Sequence, residues 1–189
     1  FCVQDVYRLG EENVAVGKVV SGVIRNHQRV TILPSLKKSE VKSIRFGGVN
    51  GNKACAGENI GISLKDAATL RRGDIVTAEN NFPLPLRQFK GNIFWISKEP
   101  LRVNQEFLVR IMTQEANCVA EKIENPVDST ALNAIKGAAH ELRINQIASV
   151  TFKTKKPLIL EDFSFIDELG RLVIERKNCL QGVGIINKL

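Results

Sequence analysis

The sequence has 189 residues, of which 43% are hydrophobic and 25% charged, and its formal charge at neutral pH is +7. This composition excludes an intrinsically disordered chain, because it supplies enough apolar side chains for a packed core. No apolar run approaches the roughly 20 residues that a membrane-spanning helix needs, and no basic segment followed by an apolar one marks a secretory signal. We therefore expect a cytoplasmic location and no membrane partner.

The excess of basic residues has two interpretations. One is an acidic partner, either nucleic acid or an acidic protein surface, and the other is a solvated surface with a modest excess of lysine. Because net charge alone does not separate them, the motifs along the chain decide how the charge is interpreted.

Short alternating segments recur along the chain. Apolar residues alternate with small polar ones at 60–64 and 148–152, which is the period of a half-buried strand. Runs rich in β-branched residues, bounded by Gly, Pro or Asn, predict further strands at 14–20, 29–33, 107–112, 172–174 and 183–186. Many short strands separated by turn signals predict an all-β fold of small antiparallel barrels, in which closure removes exposed edges.

One segment favours a helix. In residues 129–139 Asp128 or Ser129 can act as the N-cap and three apolar residues share a face, but Gly137 weakens the pattern. We predict one or two helical turns there.

The chain also contains a linker signal. Residues 79–86 include Pro83 and Pro85 on either side of Leu84, and such a segment favours extended backbone that does not join a ladder. We predict two domains, 1–80 and 87–189, joined by this proline-containing linker.

Residues with catalytic or metal-binding chemistry do not form a recognisable pattern. The four cysteines are scattered without a Cys-x-x-Cys pair and are interpreted as small core residues: Cys2, Cys55, Cys118 and Cys179. The two histidines are far apart, and neither a Gly-x-Ser-x-Gly nor a His-Glu-x-x-His motif occurs. We predict no catalytic, cofactor-binding or metal-binding residue in this chain.

Residues 47–54 come closest to a phosphate-binding loop. Asn52 stands where that loop needs its second glycine, and Ala54 stands where it needs the hydroxyl that holds magnesium. Because both requirements fail, a glycine-rich hairpin is the better interpretation.

Four motifs in order resemble the second domain of elongation factor Tu and its relatives. They are the opening residues 1–7, the strand and turn at 17–22, and the two glycine turns at 56–61 and 72–76. The glycines at positions 17, 22, 57, 61 and 73 fall where a small barrel needs positive φ or close backbone approach.

Other segments are similar to the GTPase subunit of sulfate adenylyltransferase. These are residues 32–35 and 40–44, then 92–101, 113–115, 128–132 and 170–186. The resemblance covers the whole chain and implies the two barrel domains of such a GTPase. It also implies a preceding domain that holds GTP and magnesium, consistent with a chain that opens on Phe1 rather than Met, and a partner catalytic subunit that makes adenylyl sulfate.

Alternatives to this function stay open. Residues 3–7 are closer to the elongation-factor form, which favours a module that binds aminoacyl-tRNA, and a free-standing double barrel is a third possibility. The candidate contacts for a partner or RNA are the densest basic cluster, Lys37, Lys38, Lys42, Arg45 and Lys53. A solvated hairpin tip is the competing interpretation of this cluster.

Two further features have structural interpretations. Lys153, Lys155 and Lys156 precede Pro157 and are interpreted as a charged edge of a strand. Trp95 is predicted to pack in the core or between the domains.

Overall fold

A computed structural model describes residues 1–65, 70–80, 82–130 and 140–187. The chain divides into two compact units, Phe1–Leu84 and Pro85–Leu189. Most of the helix predicted at 129–139 falls on residues 131–139, which lie outside the described residues. Among the residues that are described, no helix is long and apolar enough to cross a membrane.

The first unit is a barrel made of short antiparallel strands. In its described residues the strands are β1 (Cys2–Leu9), β2 (Glu12–Lys18), β3 (Val23–Arg25), β4 (Arg29–Leu33), β5 (Lys37–Phe46), β6 (Val49–Gly51), β7 (Lys53–Cys55), β8 (Asn59–Leu64) and β9 (Ile75–Ala78). The sheet runs in the order β4-β9-β1-β2-β8-β5 and closes through the β4–β5 ladder, while β6 extends β5 as a hairpin. Strands β3 and β7 pair only with each other and form a separate ribbon.

The core of the first barrel consists of inward side chains at alternate positions. Ile60 and Ile62 of β8 are buried, as their period of two predicts, and they join Val41 and Ile44 of β5 in one apolar cluster. The polar side chains on the same two strands hydrogen-bond to each other, since the hydroxyl oxygens of Ser43 and Ser63 lie 2.7 Å apart.

The second unit is a closed antiparallel barrel of six longer strands, β10-β15-β13-β12-β16-β17, in the part of the chain that is described. Its elements are β10 (Pro85–Trp95), β11 (Leu101–Arg102), β12 (Glu106–Ile111), β13 (Gln114–Asp128), β14 (Glu141–Leu142), β15 (Gln146–Ile159), α1 (Asp167–Gly170), β16 (Arg171–Arg176) and β17 (Cys179–Ile186). The two barrels confirm the predicted all-β, antiparallel double-barrel fold.

Trp95 lies in the core of the second barrel. It is fully buried, its ring meets Phe107 edge-on at 5.7 Å, and its indole nitrogen donates to the carbonyl of Glu99 at 2.7 Å. The prediction for Trp95 offered packing in the core or between the domains, and the core packing is confirmed. Its one polar atom, the indole nitrogen, has its hydrogen-bond partner inside the same unit.

Three sequence interpretations need correction. Lys153 does not mark an edge, because β15 is paired there with β10 on one side and β13 on the other, whereas neither ladder pairs Lys155 or Lys156. Pro85 and Leu86 are not linker residues but open β10, where a proline costs little because it is the first residue of the strand. Cysteines 55 and 179 are exposed rather than core residues, whereas Cys2 and Cys118 are buried.

The glycine pattern has the two physical causes that the sequence suggests. Positions 22, 57 and 73 have positive φ, whereas Gly17 and Gly61 are sites of close approach. A Cβ on Gly17 would lie 2.0 Å from the backbone oxygen of Cys2, and one on Gly61 would meet the Cγ1 methyl of Val14 at 2.9 Å. The atom that a Cβ on Gly17 would meet belongs to the backbone, which cannot move easily. The atom that a Cβ on Gly61 would meet belongs to a side chain, which can rotate.

Gly17→Ala should therefore destabilise the first barrel by about 1–3 kcal/mol or more, because the β1–β2 ladder would have to separate. Gly61→Ala is the matched control on the neighbouring strand and should cost less, since a methyl group can turn away. Urea unfolding of both variants measures the difference. Equal costs would contradict the close packing of β1 on β2 at this position.

The outer face of the second barrel is crossed by ion pairs between neighbouring strands. Glu124 of β13 accepts from Lys122 at 2.6 Å and from Lys90 of β10 at 2.9 Å. These two hydrogen bonds and the two positive charges lower the pKa of Glu124 from 4.5 to about 2. Lys153 pairs with Glu121, and Lys155 pairs with Glu106. Carboxylates thus pair with four lysines on the strands of this barrel, namely Lys90, Lys122, Lys153 and Lys155.

A carboxylate whose pKa is lower in the folded chain stabilises the fold above its unfolded value and loses this contribution as the pH falls. For Glu124 the loss should occur between about pH 4.5 and pH 2. In urea titrations over this range, Glu124→Gln should show a shallower fall in unfolding free energy than the wild type. The exposed Glu11 has no ion pair among the described residues, so Glu11→Gln should follow the wild-type curve, and coincident curves for all three proteins would contradict the assignment.

Candidate functional site

The predicted basic cluster lies on two strands of the first barrel. Lys37, Lys38, Lys42 and Arg45 are on β5, and Lys53 opens β7. Of these five residues, only Lys42 and Arg45 lie together, because both pair with the same carboxylate.

That carboxylate is Glu12, the first residue of β2. It accepts a hydrogen bond from the ammonium group of Lys42 and another from Nη2 of Arg45, the latter at 2.6 Å. The hydrogen bond from Lys42, together with the charges of both cations, holds the pKa of Glu12 below its usual range. Glu12 therefore stays ionised at neutral pH and offsets part of the positive charge of β5.

The other three members are separate from this pair. Lys38 donates to Glu79 at 3.0 Å, on the side of β5 that faces β4. Lys37 and Lys53 are exposed and have no ion pair in the part of the chain that is described. The cluster is therefore not a continuous row of free cations, and its role as a partner or RNA contact stays a prediction.

The segment that comes closest to a phosphate loop is a pair of turns. Gly47 and Gly48 have positive φ and join β5 to β6, and Asn52 separates β6 from β7. The described residues that follow form β6, β7 and β8 rather than a helix whose N-terminus could bind phosphates, so this segment does not fit GTP and magnesium. Within the described residues there is also no group of three or more His, Cys, Asp or Glu side chains that could hold a metal.

A groove with a volume of about 500 Å³ lies on the outside of the second barrel. Strands β10, β16 and β17 form its floor, and the segment before α1 forms one wall. Its apolar lining comes from Phe94, Ile147, Phe163, Val173, Val183 and Ile185. Apart from Phe163, these side chains stand at strand positions that face away from the core, where strands usually carry polar groups.

The wall of this apolar groove is held in place by local contacts. A Cβ on Gly170 would lie 2.3 Å from the Cα of Phe163, so glycine is what allows the Phe163 backbone to pack against the end of α1. The guanidinium carbon of Arg171 lies 5.3 Å from the centre of the Phe163 ring, and Arg171 also pairs with Asp167 at 2.5 Å. Arg171 is the one charged side chain among the residues that line the groove, and its charge is paired with Asp167. The exposed lining of the groove is therefore largely apolar.

Sequence reasoning missed this groove. The signal was present in β10, where Ile93 and Trp95 take the inward positions and Phe94 between them must face outward. A single outward aromatic residue is common on protein surfaces, so Phe94 marks a groove only together with apolar neighbours on other strands. The sequence does not show that β17 pairs with β10 and β16 with β17.

Comparison with known proteins agrees with this architecture. Residues 88–187 match the family model described as GTP-eEF1A C-terminal domain-like, and residues 13–77 match elongation factor Tu domain 2. A crystal structure of sup35 complexed with GDP matches 100% of this chain and 46% of that chain, with a TM-score of 0.90. Its sequence identity of 17% shows a common fold only.

Curated relatives fall into two groups. Sulfate adenylyltransferase subunit 1 of Alteromonas mediterranea is 32% identical over 90% of this chain and 36% of that protein. Elongation factor 1-alpha of Metallosphaera sedula is 30% identical over 98% of this chain and 43% of that protein. The chain thus spans less than half of the length of either relative. With a family match over more than half of its residues, preceded by an elongation factor Tu domain 2, the chain belongs to the GTP-eEF1A C-terminal domain-like family.

Proposed function

We propose that this chain is the non-catalytic barrel region of a GTPase subunit of sulfate adenylyltransferase. In this proposal a preceding N-terminal domain binds GTP and magnesium. The two barrels couple GTP hydrolysis there to the formation of adenylyl sulfate from ATP and sulfate on a partner catalytic subunit in the cytoplasm. The relative named sulfate adenylyltransferase subunit 1, at 32% identity over 90% of the chain, supports this choice.

The observation that carries the proposal is the apolar groove of the second barrel. Apolar surface exposed on a barrel is unfavourable in water, and contiguous patches of it usually mark contacts between proteins or domains. The residues that line the groove include no acid, base or nucleophile, and their one charged side chain, Arg171, pairs with Asp167. Its chemistry therefore fits docking of a protein surface rather than catalysis.

Docking in the groove gives the barrels a means to respond to nucleotide. A GTPase domain that changes shape between its GTP and GDP forms would bind the groove with different affinity in each form. The apolar groove is accordingly assigned to the N-terminal GTPase domain, which leaves the first barrel free for the catalytic subunit.

A second candidate is the barrel region of an elongation factor that binds aminoacyl-tRNA. The similarity to elongation factor 1-alpha over 98% of the chain favours it, as do the exposed and unpaired Lys37 and Lys53. The engagement of Lys38 by Glu79, and of Lys42 and Arg45 by Glu12, weighs against it. Paired cations release fewer counterions from a nucleic acid than free ones do.

Val173→Asp tests the groove, because it places a charge in the apolar floor without touching the barrel core. In the protein encoded by the complete gene, assayed with its cognate catalytic subunit, we expect GTP-stimulated adenylyl sulfate formation to fall by about tenfold or more. The basal rate without GTP should be unchanged. Val49→Asp is the control, since Val49 is 71% exposed on the β6 hairpin of the first unit.

Equal GTP stimulation in wild type and Val173→Asp would exclude the groove as the coupling surface. A titration with aminoacyl-tRNA at several salt concentrations separates the two candidate functions. Salt-dependent binding that requires the charged acceptor end, with no association with the catalytic subunit, would establish the elongation-factor alternative.

A further inference from the structure

The β3–β7 ribbon of the first unit places two positive charges directly opposite each other. Its three cross-strand pairs are Val23–Cys55, Ile24–Ala54 and Arg25–Lys53. Ile24 and Ala54 are buried in the barrel core, so the flanking pairs face outward. Directly opposed residues of an antiparallel pair have Cβ atoms about 5 Å apart. Arg25 and Lys53 therefore occupy directly opposed positions on one exposed face, and they are called the cation couple below.

Several other cations on strands are held by carboxylates, although Lys37 of β5 has no ion pair in the described residues either. Carboxylates engage Lys38, Lys42 and Arg45 in the first unit, and Lys90, Lys122 and Arg110 in the second. In the described ranges, no carboxylate lies within ion-pair distance of Arg25 or Lys53. Like charges directly opposite each other destabilise a strand pair, so the couple is unfavourable to the isolated fold.

The backbone next to the couple is held by hydrogen bonds. Beyond the Arg25–Lys53 pair, the backbone NH of Asn26 donates to the carbonyl of Asn52 at 3.0 Å, and its side-chain amide donates to Gly51 at 3.0 Å. The next residue, His27, donates its backbone NH to Val41 of β5 at 2.9 Å. The two strands therefore cannot separate freely, so the backbone positions of Arg25 and Lys53 stay opposite each other and both side chains can reach one anion.

We propose that Arg25 and Lys53 bind an acidic segment of the partner catalytic subunit, with a carboxylate seated between the two cations. The identity of this partner rests on the function proposed above. A guanidinium group can grip a carboxylate with two parallel hydrogen bonds, and the ammonium group adds a second charge from the opposite strand. The exposed side chains of Val23 and Cys55, on the same face, provide an apolar contact beside the charged one.

A carboxylate fits this face better than a nucleic acid does. A nucleic-acid strand presents a phosphate at each nucleotide, and binding it takes a row of free cations with aromatic side chains on which bases stack. The cations Lys42 and Arg45 are already held by Glu12, and the ribbon itself contains no aromatic residue. An isolated couple matches one or two carboxylates of a protein surface.

Lys53→Glu separates a role in binding from a role in the fold alone. It replaces the repulsion between Arg25 and Lys53 by an attraction between Arg25 and a glutamate, while it removes one of the two cations that would bind the partner. We expect the isolated chain to melt at a higher temperature than the wild type. Its affinity for the cognate catalytic subunit, measured by calorimetry, should fall by about tenfold or more. The control is Lys98→Glu, an exposed lysine of the second unit that has no ion pair in the described part and changes the net charge equally.

Zero-length coupling with a carbodiimide reports the contact directly, since it joins an ammonium group to a carboxylate only when the two are in contact. Lys53 should be coupled to an Asp or Glu of the catalytic subunit in the wild-type complex. Unchanged affinity of Lys53→Glu, or an equal loss in Lys98→Glu, would overturn the proposal. So would a loss of affinity confined to aminoacyl-tRNA. If the wild-type chain fails to bind the catalytic subunit at all, the proposed function is contradicted. The assignment of the catalytic subunit as the partner of Arg25 and Lys53 is then contradicted as well.

Discussion

Closure of each sheet on itself is the constraint on which the rest of this structure depends. The β4–β5 ladder completes the first barrel, and the β10–β17 ladder completes the second. A closed sheet has no exposed edge, and alternation then divides every strand into a core side and a solvent side. The core side must be apolar and tightly packed. The solvent side is free to vary, and the apolar groove lies on it, whereas the Arg25–Lys53 couple lies on the separate β3–β7 ribbon.

The features that the sequence predicts well are those that arise within one strand or one turn. Alternation placed Ile60 and Ile62 in a strand with one buried face, and the glycine positions marked turns and close approaches. Such signals are local, because backbone conformation and the two-residue period depend on a few neighbours. The two-barrel fold follows from many of them in succession, together with the resemblance to elongation factor Tu.

The features that the sequence does not predict arise between strands that are distant along the chain. Glu12 and Arg45 are 33 positions apart, and Glu79 and Lys38 are 41 apart. Counting lysines along β5 therefore suggests a basic patch, whereas the fold brings a carboxylate to three of its members. Phe94 and Val173 likewise face outward for local reasons, but only the pairing of β10 with β17 and of β17 with β16 makes them two parts of one groove.

Glu12 also has a consequence for how proteins of this family diverge. The Glu12 carboxylate on β2 pairs with two cations on β5, Lys42 and Arg45. The number of free positive charges on β5 therefore depends on this one residue. Replacing Glu12 by a neutral residue would release Lys42 and Arg45 at once, while the glycines and core residues that determine the fold stay as they are. A barrel suited to protein contacts and one suited to a polyanion are thus close neighbours in sequence, and relatives with different partners can retain a common architecture.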